Sequence, residues 1–152
     1  MAAAVAPHVL NRSVARASDP IQMEPPVGMP GGPPTTVEGL RERIRIMERR
    51  LQDQPRDIGA AVLLADALLR QARATNDGRP ANRASQVLNA VLKEEPEQYD
   101  ALRMLGAIYL SQHRFRDGLD AARRARDLRP HDAWNYGVMG DALIELGEYD
   151  QA

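Results

Sequence analysis

The sequence predicts an all-α protein built as an open stack of antiparallel helix pairs, preceded by a disordered N-terminal arm. Three observations carry this reading. Apolar residues from Val37 onward return at spacings of three and four, the period of one helix face. No segment of four or more residues alternates convincingly with period two, so no strand is expected. Three prolines, Pro55, Pro96 and Pro130, each close one helical pattern, and a new one opens three residues later, at Ile58, Tyr99 and Ala133.

Composition agrees. The 152 residues are 43% hydrophobic and 27% charged, enough for one domain with a core, and the 4% aromatic content argues against a sheet built on aromatic cross-strand pairs. Alanine, leucine and arginine dominate, and all three favour helix. The formal net charge of -1 gives no global field to attract nucleic acid or an anionic membrane. With no cysteine there is no disulfide, thiolate nucleophile or cysteine zinc site, and the redox compartment stays unreadable. No run approaches the roughly 18 apolar residues of a membrane span, so the chain reads as soluble, in the cytoplasm or the periplasm.

The elements follow in order. "MAAAVAPHVLNRSVARAS" holds Arg12 and Arg16 ahead of its first acid, Asp19, in the manner of a transit peptide, but Pro7 interrupts it. It reads best as a disordered arm. Residues 19–34, "DPIQMEPPVGMPGGPP", hold six prolines and three glycines and cannot bury apolar surface, so they form a linker. Structure begins at Thr35, where "TTVE" offers a capping box from Thr35 to Glu38. Val37, Leu40, Ile44, Met47 and Leu51 line a helix ending near Asp53. A second helix, 58–74, turns Ala61, Leu64, Ala65 and Leu68 inward. "TNDGRPAN" breaks it, and a third helix, 81–94, presents Ala84, Leu88 and Val91. A fourth, 99–112, presents Leu102, Leu105, Gly106 and Tyr109. A fifth, 116–128, presents Gly118, Ala122 and Ala125. A sixth, 133–146, presents Tyr136, Met139, Gly140 and Leu143.

Pro96 and Pro130 lie 34 residues apart, and Pro55 and Pro96 lie 41 apart, which is one period plus a seven-residue insertion at the breaker. This period and pattern resemble the tetratricopeptide repeat (TPR), a helix–turn–helix unit. The family's large positions correspond to Leu102, Leu105 and Tyr109, its small ones to Gly106, Gly118 and Ala125, and its closing proline to Pro130. Ala122 departs from the pattern, since a bulky residue is common there. The resemblance covers residues 37–152 and implies an open right-handed solenoid. In it, Gly106 and Gly140 let the second helix of each pair approach closely. "GEYDQA" at the C-terminus reads as a repeat cut within its second helix, which would leave part of Tyr136, Met139, Leu143 and Leu146 uncovered.

No chemistry for catalysis, cofactor or metal emerges. His8, His113 and His131 have no ligand partner at metal spacing, and no GxSxG elbow or phosphate loop is present. The run Arg123, Arg124, Arg126 and Arg129, with Arg114 and Arg116, is interleaved with Asp117, Asp120 and Asp127. It reads as a solvated helix face rather than a nucleic-acid patch.

The resemblance implies a concave surface lined by the first helix of each pair, where a partner peptide docks. The repeat phase places Val62, Asp66, Leu69, Asp100, Arg103, Ala107 and Leu110 there, then Trp134, Gly137, Asp141 and Ile144. Some family members grip a C-terminal carboxylate with lysine and asparagine at such places. Here Val62, Asp66, Arg103, Ala107 and Asp141 stand there, so that clamp is absent. Asp66, Asp100, Arg103, Trp134 and Asp141 remain as candidate partner-binding residues. Trp134 has two readings: a ligand anchor, or a ring packed under the preceding helix end. The expected function is a non-enzymatic protein–protein interaction scaffold. The alternative is a regulatory repeat module of a larger enzyme or signalling protein whose C-terminal part is missing. A third reading is self-association through the open C-terminal end.

Overall fold

A computed structural model describes residues 36–152, so the arm, the proline-rich linker and Thr35 lie outside the described residues. Six α-helices follow one another: α1 (Val37–Asp53), α2 (Ile58–Thr75), α3 (Gly78–Glu94), α4 (Tyr99–Ser111), α5 (Phe115–Leu128) and α6 (Ala133–Glu145). A 3₁₀ turn, Tyr149–Gln151, closes the order, and no strand occurs among the described residues.

The prolines build three copies of one turn. The residue before each proline is barred from the helical region, so the helix ends there. Gln54, Glu95 and Arg129 accordingly take φ of -134°, -128° and -138° with ψ of 80°, 82° and 81°. Each proline then occupies the second position of a β-turn, where its fixed φ is preorganised. The turn is closed by Asp57 N–H to Gln54 C=O, Gln98 to Glu95 and Asp132 to Arg129, at 3.1, 3.1 and 3.3 Å. The residue that ends each turn caps the next helix through its side chain: Asp57 accepts from Ala60 N–H at 2.8 Å, Gln98 from Ala101 at 2.7 Å and Asp132 from Trp134 at 2.9 Å. A proline followed two positions later by a capping acceptor is thus the local code for every junction between pairs.

Within pairs the first helix ends in a left-handed residue. Asn76 (φ 50°), His113 (φ 57°) and Gly147 (φ 77°) take this conformation. The next N–H then bonds the carbonyl five residues back: Asp77 to Ala72, Arg114 to Tyr109 and Glu148 to Leu143. His113 and Gly147 stand one period apart, and the histidine adopts the strained φ that glycine takes freely.

Two expectations need correction at the N-terminal end. The cap of α1 is Thr36, whose hydroxyl accepts from Gly39 N–H at 3.1 Å; Glu38 does not reach back but pairs with Arg41 and Arg45. The seven-residue insertion is not a loop either. It lengthens both helices, so α2 and α3 run 18 and 17 residues against 13 and 14 in α4 and α5. Asp77 caps α3 and Gly78 opens it, three residues earlier than expected. Pro80 then falls in the first turn, where a missing N–H costs nothing.

Packing follows the repeat. Neighbouring helices touch in sequence, and α2 also touches α4, and α4 touches α6. By contrast, no Cα of α1 comes within 8 Å of α3, nor any of α3 within 8 Å of α5. The first helices therefore crowd together on one side while the second helices splay apart on the other, and the stack curves toward the α2–α4–α6 side. The core sits between these layers. Leu64, Leu68, Leu88, Leu102, Leu105 and Ile108 are all buried, each worth about 1.5–3 kcal/mol relative to exposure. The small residues admit close approach of α4 to both neighbours: an added Cβ on Gly106 would meet Val138 Cγ1 on α6 at 3.0 Å and the Gly118 carbonyl on α5 at 3.7 Å, and one on Gly118 would meet the Gly106 carbonyl at 3.4 Å.

The sixth helix departs from its expected stripe. Asn135, Val138, Ala142 and Leu143 are buried, whereas Tyr136 is exposed, its hydroxyl donating to the Pro130 carbonyl at 2.9 Å. Met139 and Leu146 are half-buried against a cluster of Leu119, Ala142 and Leu143. Gly140 has no neighbour within 4 Å of an added Cβ, so it does not make the close approach that Gly106 makes.

Candidate functional site

The side of the stack formed by α2, α4 and α6 carries the candidate partner-binding residues. Its centre is built on Asp132. The Pro130 turn delivers this carboxylate to the N-terminus of α6, where one oxygen caps Trp134 N–H. The other oxygen accepts the Tyr99 hydroxyl from the start of α4 and lies 3.4 Å from Arg103 Nε, one turn further along α4. The bond from Tyr99, then the Trp134 N–H, then the Arg103 charge, hold the Asp132 carboxyl below its ordinary value of 3.8. Burial, and then the bond to Asp132, push the Tyr99 hydroxyl above its ordinary value of 10.0.

Asn135 completes this junction. It is 1% exposed, and its amide donates to the Arg129 carbonyl at 3.2 Å and to the Tyr99 hydroxyl at 3.4 Å. Asn135 is thus the residue that packs under the preceding helix end. Its neighbour Trp134 remains 47% exposed, and the Arg103 guanidinium stands 4.7 Å from the centre of its ring. Asp132 therefore fixes both partners of this stacked pair, one by its backbone and the other by its side chain.

The remaining predicted residues do not join this pair. Asp66, on α2, is held by Arg70 at 2.8 Å. Asp100, in the first turn of α4, and Asp141, two turns beyond Trp134 on α6, are exposed, and neither makes an ion pair among the described residues. Gly137 and Ile144 continue the exposed stripe of α6, with Ile144 52% exposed. Two residues expected to line this surface belong elsewhere. Leu69 is buried in the core, and Leu110 packs against Leu119, Ala142 and Leu143. At the matching place on α6, by contrast, Ile144 stays exposed.

The arginine run is engaged locally. Arg114 pairs with Asp117 at 2.8 Å and lies 4.2 Å from the Tyr109 ring, Arg126 pairs with Asp127, and Arg124 donates to the Pro96 carbonyl at 2.8 Å. Among the described residues no group of three metal-capable side chains converges, and no helix is long and apolar enough to cross a membrane.

These features define a helical-repeat solenoid of the tetratricopeptide type at the level of fold. Among the solved structures that share it, MamA MSR-1 C2 aligns over 74% of this chain with a TM-score of 0.58 and 20% identity. A MamA point mutant aligns over 77% with a TM-score of 0.56, also at 20% identity. The chain spans 61% of the length of the first of these. No protein-family model matches the chain, and no curated protein matches it in sequence.

Proposed function

We propose that the chain is a non-enzymatic interaction scaffold, and that the α2–α4–α6 side docks a peptide segment of a partner protein. The observation that carries this is Trp134: a large ring left half in solvent, yet held in one place by Arg103 and Asp132. Preorganised, exposed aromatic side chains are the residues that most often anchor an interface. Ile144 extends the apolar strip along α6, and Gly137 leaves a gap between the two. Asp141 stands between Gly137 and Ile144 on the same line of α6, and Asp100 is exposed on α4; both favour a peptide that sets a basic group beside an apolar one.

Trp134 is the only tryptophan, so its fluorescence reports directly on this side of the molecule. Peptides selected on the intact chain from a display library should shift its emission saturably. They should lose about tenfold or more in affinity for Trp134→Ala. Selected peptides that bind Trp134→Ala with unaltered affinity would exclude this surface.

A further inference from the structure

On the opposite, splayed side the two inter-repeat crevices differ in a way that points to a second binding site. The crevice between α3 and α5, over the start of α4, is filled from within. Tyr99 lies there with Leu92, Leu102 and Ala125, and is 7% exposed. The Arg129 guanidinium covers its ring at 3.9 Å, and Arg124 reaches across to the Pro96 carbonyl at 2.8 Å.

The crevice between α1 and α3, over the start of α2, has the same frame and different contents. Counted from the closing prolines, Ile58 stands for Tyr99, Ala61 for Leu102, Ala90 for Arg124 and Glu95 for Arg129. The aromatic ring, its cationic cover and the cross-strap are all missing at once. What remains is an open cavity of about 610 Å³ with apolar walls that include Leu51, Ile58, Ala61 and Val91. That size falls within the ~300–1,000 Å³ of ordinary ligand clefts. Further along the crevice, Arg83 on α3 pairs with Glu48 on α1. The rim carries Arg56, Asp57, Glu94 and Glu95. Asp57 is already neutralised by Arg50 at 2.6 Å, so the free rim charge is acidic.

We infer that this crevice takes an aromatic side chain from a partner protein, followed by a basic residue that replaces the missing cover over the ring. The filled crevice shows what the frame accommodates, and the change from Arg129 to Glu95 reverses the charge the occupant must bring. Residues 1–34 hold no Phe, Tyr or Trp, so that segment supplies no such ring. The exposed Tyr149 of a second copy sits between Glu148 and Asp150, and the acidic rim would repel it.

The test is an amide NMR titration of the intact chain with two short capped peptides, one containing Tyr-Arg and one Tyr-Glu. The Tyr-Arg peptide should shift the amides of Leu51, Ile58, Ala61 and Val91 saturably, and the Tyr-Glu peptide should bind about tenfold more weakly. Ile58→Tyr should fill the crevice, raise the melting temperature and abolish the shifts. Glu95→Arg, an exposed change that leaves the core untouched, should weaken Tyr-Arg binding about tenfold. Absent shifts at millimolar peptide, equal affinity for the two peptides, shifts confined to Trp134, or undiminished binding by either variant would each overturn the inference.

Discussion

The Tyr99 hydroxyl donates to the Asp132 carboxylate across 33 residues, joining the start of one repeat to the cap of the next. The same carboxylate caps α6 and pairs with Arg103, so one acid links the register of the stack to the surface proposed to bind. Tyr99→Phe should therefore destabilise the protein by about 1 kcal/mol. It should also loosen the Arg103–Trp134 pair. Urea denaturation gives the first value, and the emission maximum and quenching of Trp134 give the second. Unchanged stability together with unchanged fluorescence would contradict the linkage.

The capping acids predict a direction of pH dependence. Asp57 is held below 3.8 chiefly by the Ala60 N–H, and Asp132 chiefly by the Tyr99 hydroxyl. A carboxyl whose native pKa is depressed contributes stability that is fully present above its unfolded pKa. That contribution is lost as pH falls through the native value. The urea midpoint should thus hold above about pH 4–5 and decline below it. The decline should be shallower in Asp57→Asn and Asp132→Asn, measured against wild type from neutral to strongly acid pH.

The turn prolines should act through the unfolded chain. Pro55→Ala leaves the turn hydrogen bond from Asp57 to Gln54 intact, so the loss should be about 0.4–1 kcal/mol. A much larger loss would show that the ring itself packs.

Arg103→Ala removes the guanidinium over Trp134 while α4 keeps its buried face. Helix content should be unchanged by circular dichroism. Collisional quenching of Trp134 by acrylamide should rise, and peptides selected on the intact chain should bind more weakly. Quenching equal to that of wild type would show that Arg103 does not order the ring.

Much of this fold is legible in the residues, because its rules are local. Proline sets each helix end, and the three-and-four spacing finds the buried faces of α2, α4 and α5. The insertion is not legible as helix because Asp77-Gly78 and Pro80 read as a loop, although each suits the beginning of a helix. The apolar spacing of α6 points one residue away from its buried stripe because Asn135, a polar residue, is buried, and Tyr136 satisfies its hydroxyl on a nearby carbonyl. At the candidate surface, phase alone placed Arg103 and Trp134 on one side. Their mutual contact was not legible, because it depends on Asp132 and Tyr99 reaching across from separate repeats.

The most direct test of the stacking register is a pair of alanine substitutions one period apart, at Gly106 and Gly140, compared by equilibrium denaturation. At Gly106 a new Cβ meets Val138 at 3.0 Å, so Gly106→Ala should destabilise, and Gly106→Leu should cost about 1–3 kcal/mol by overpacking. At Gly140 the space is open, so Gly140→Ala should stabilise by about 0.5–1 kcal/mol as a helix-favouring exchange. Opposite signs at these two matched positions are the predicted result; equal shifts in the same direction would contradict it.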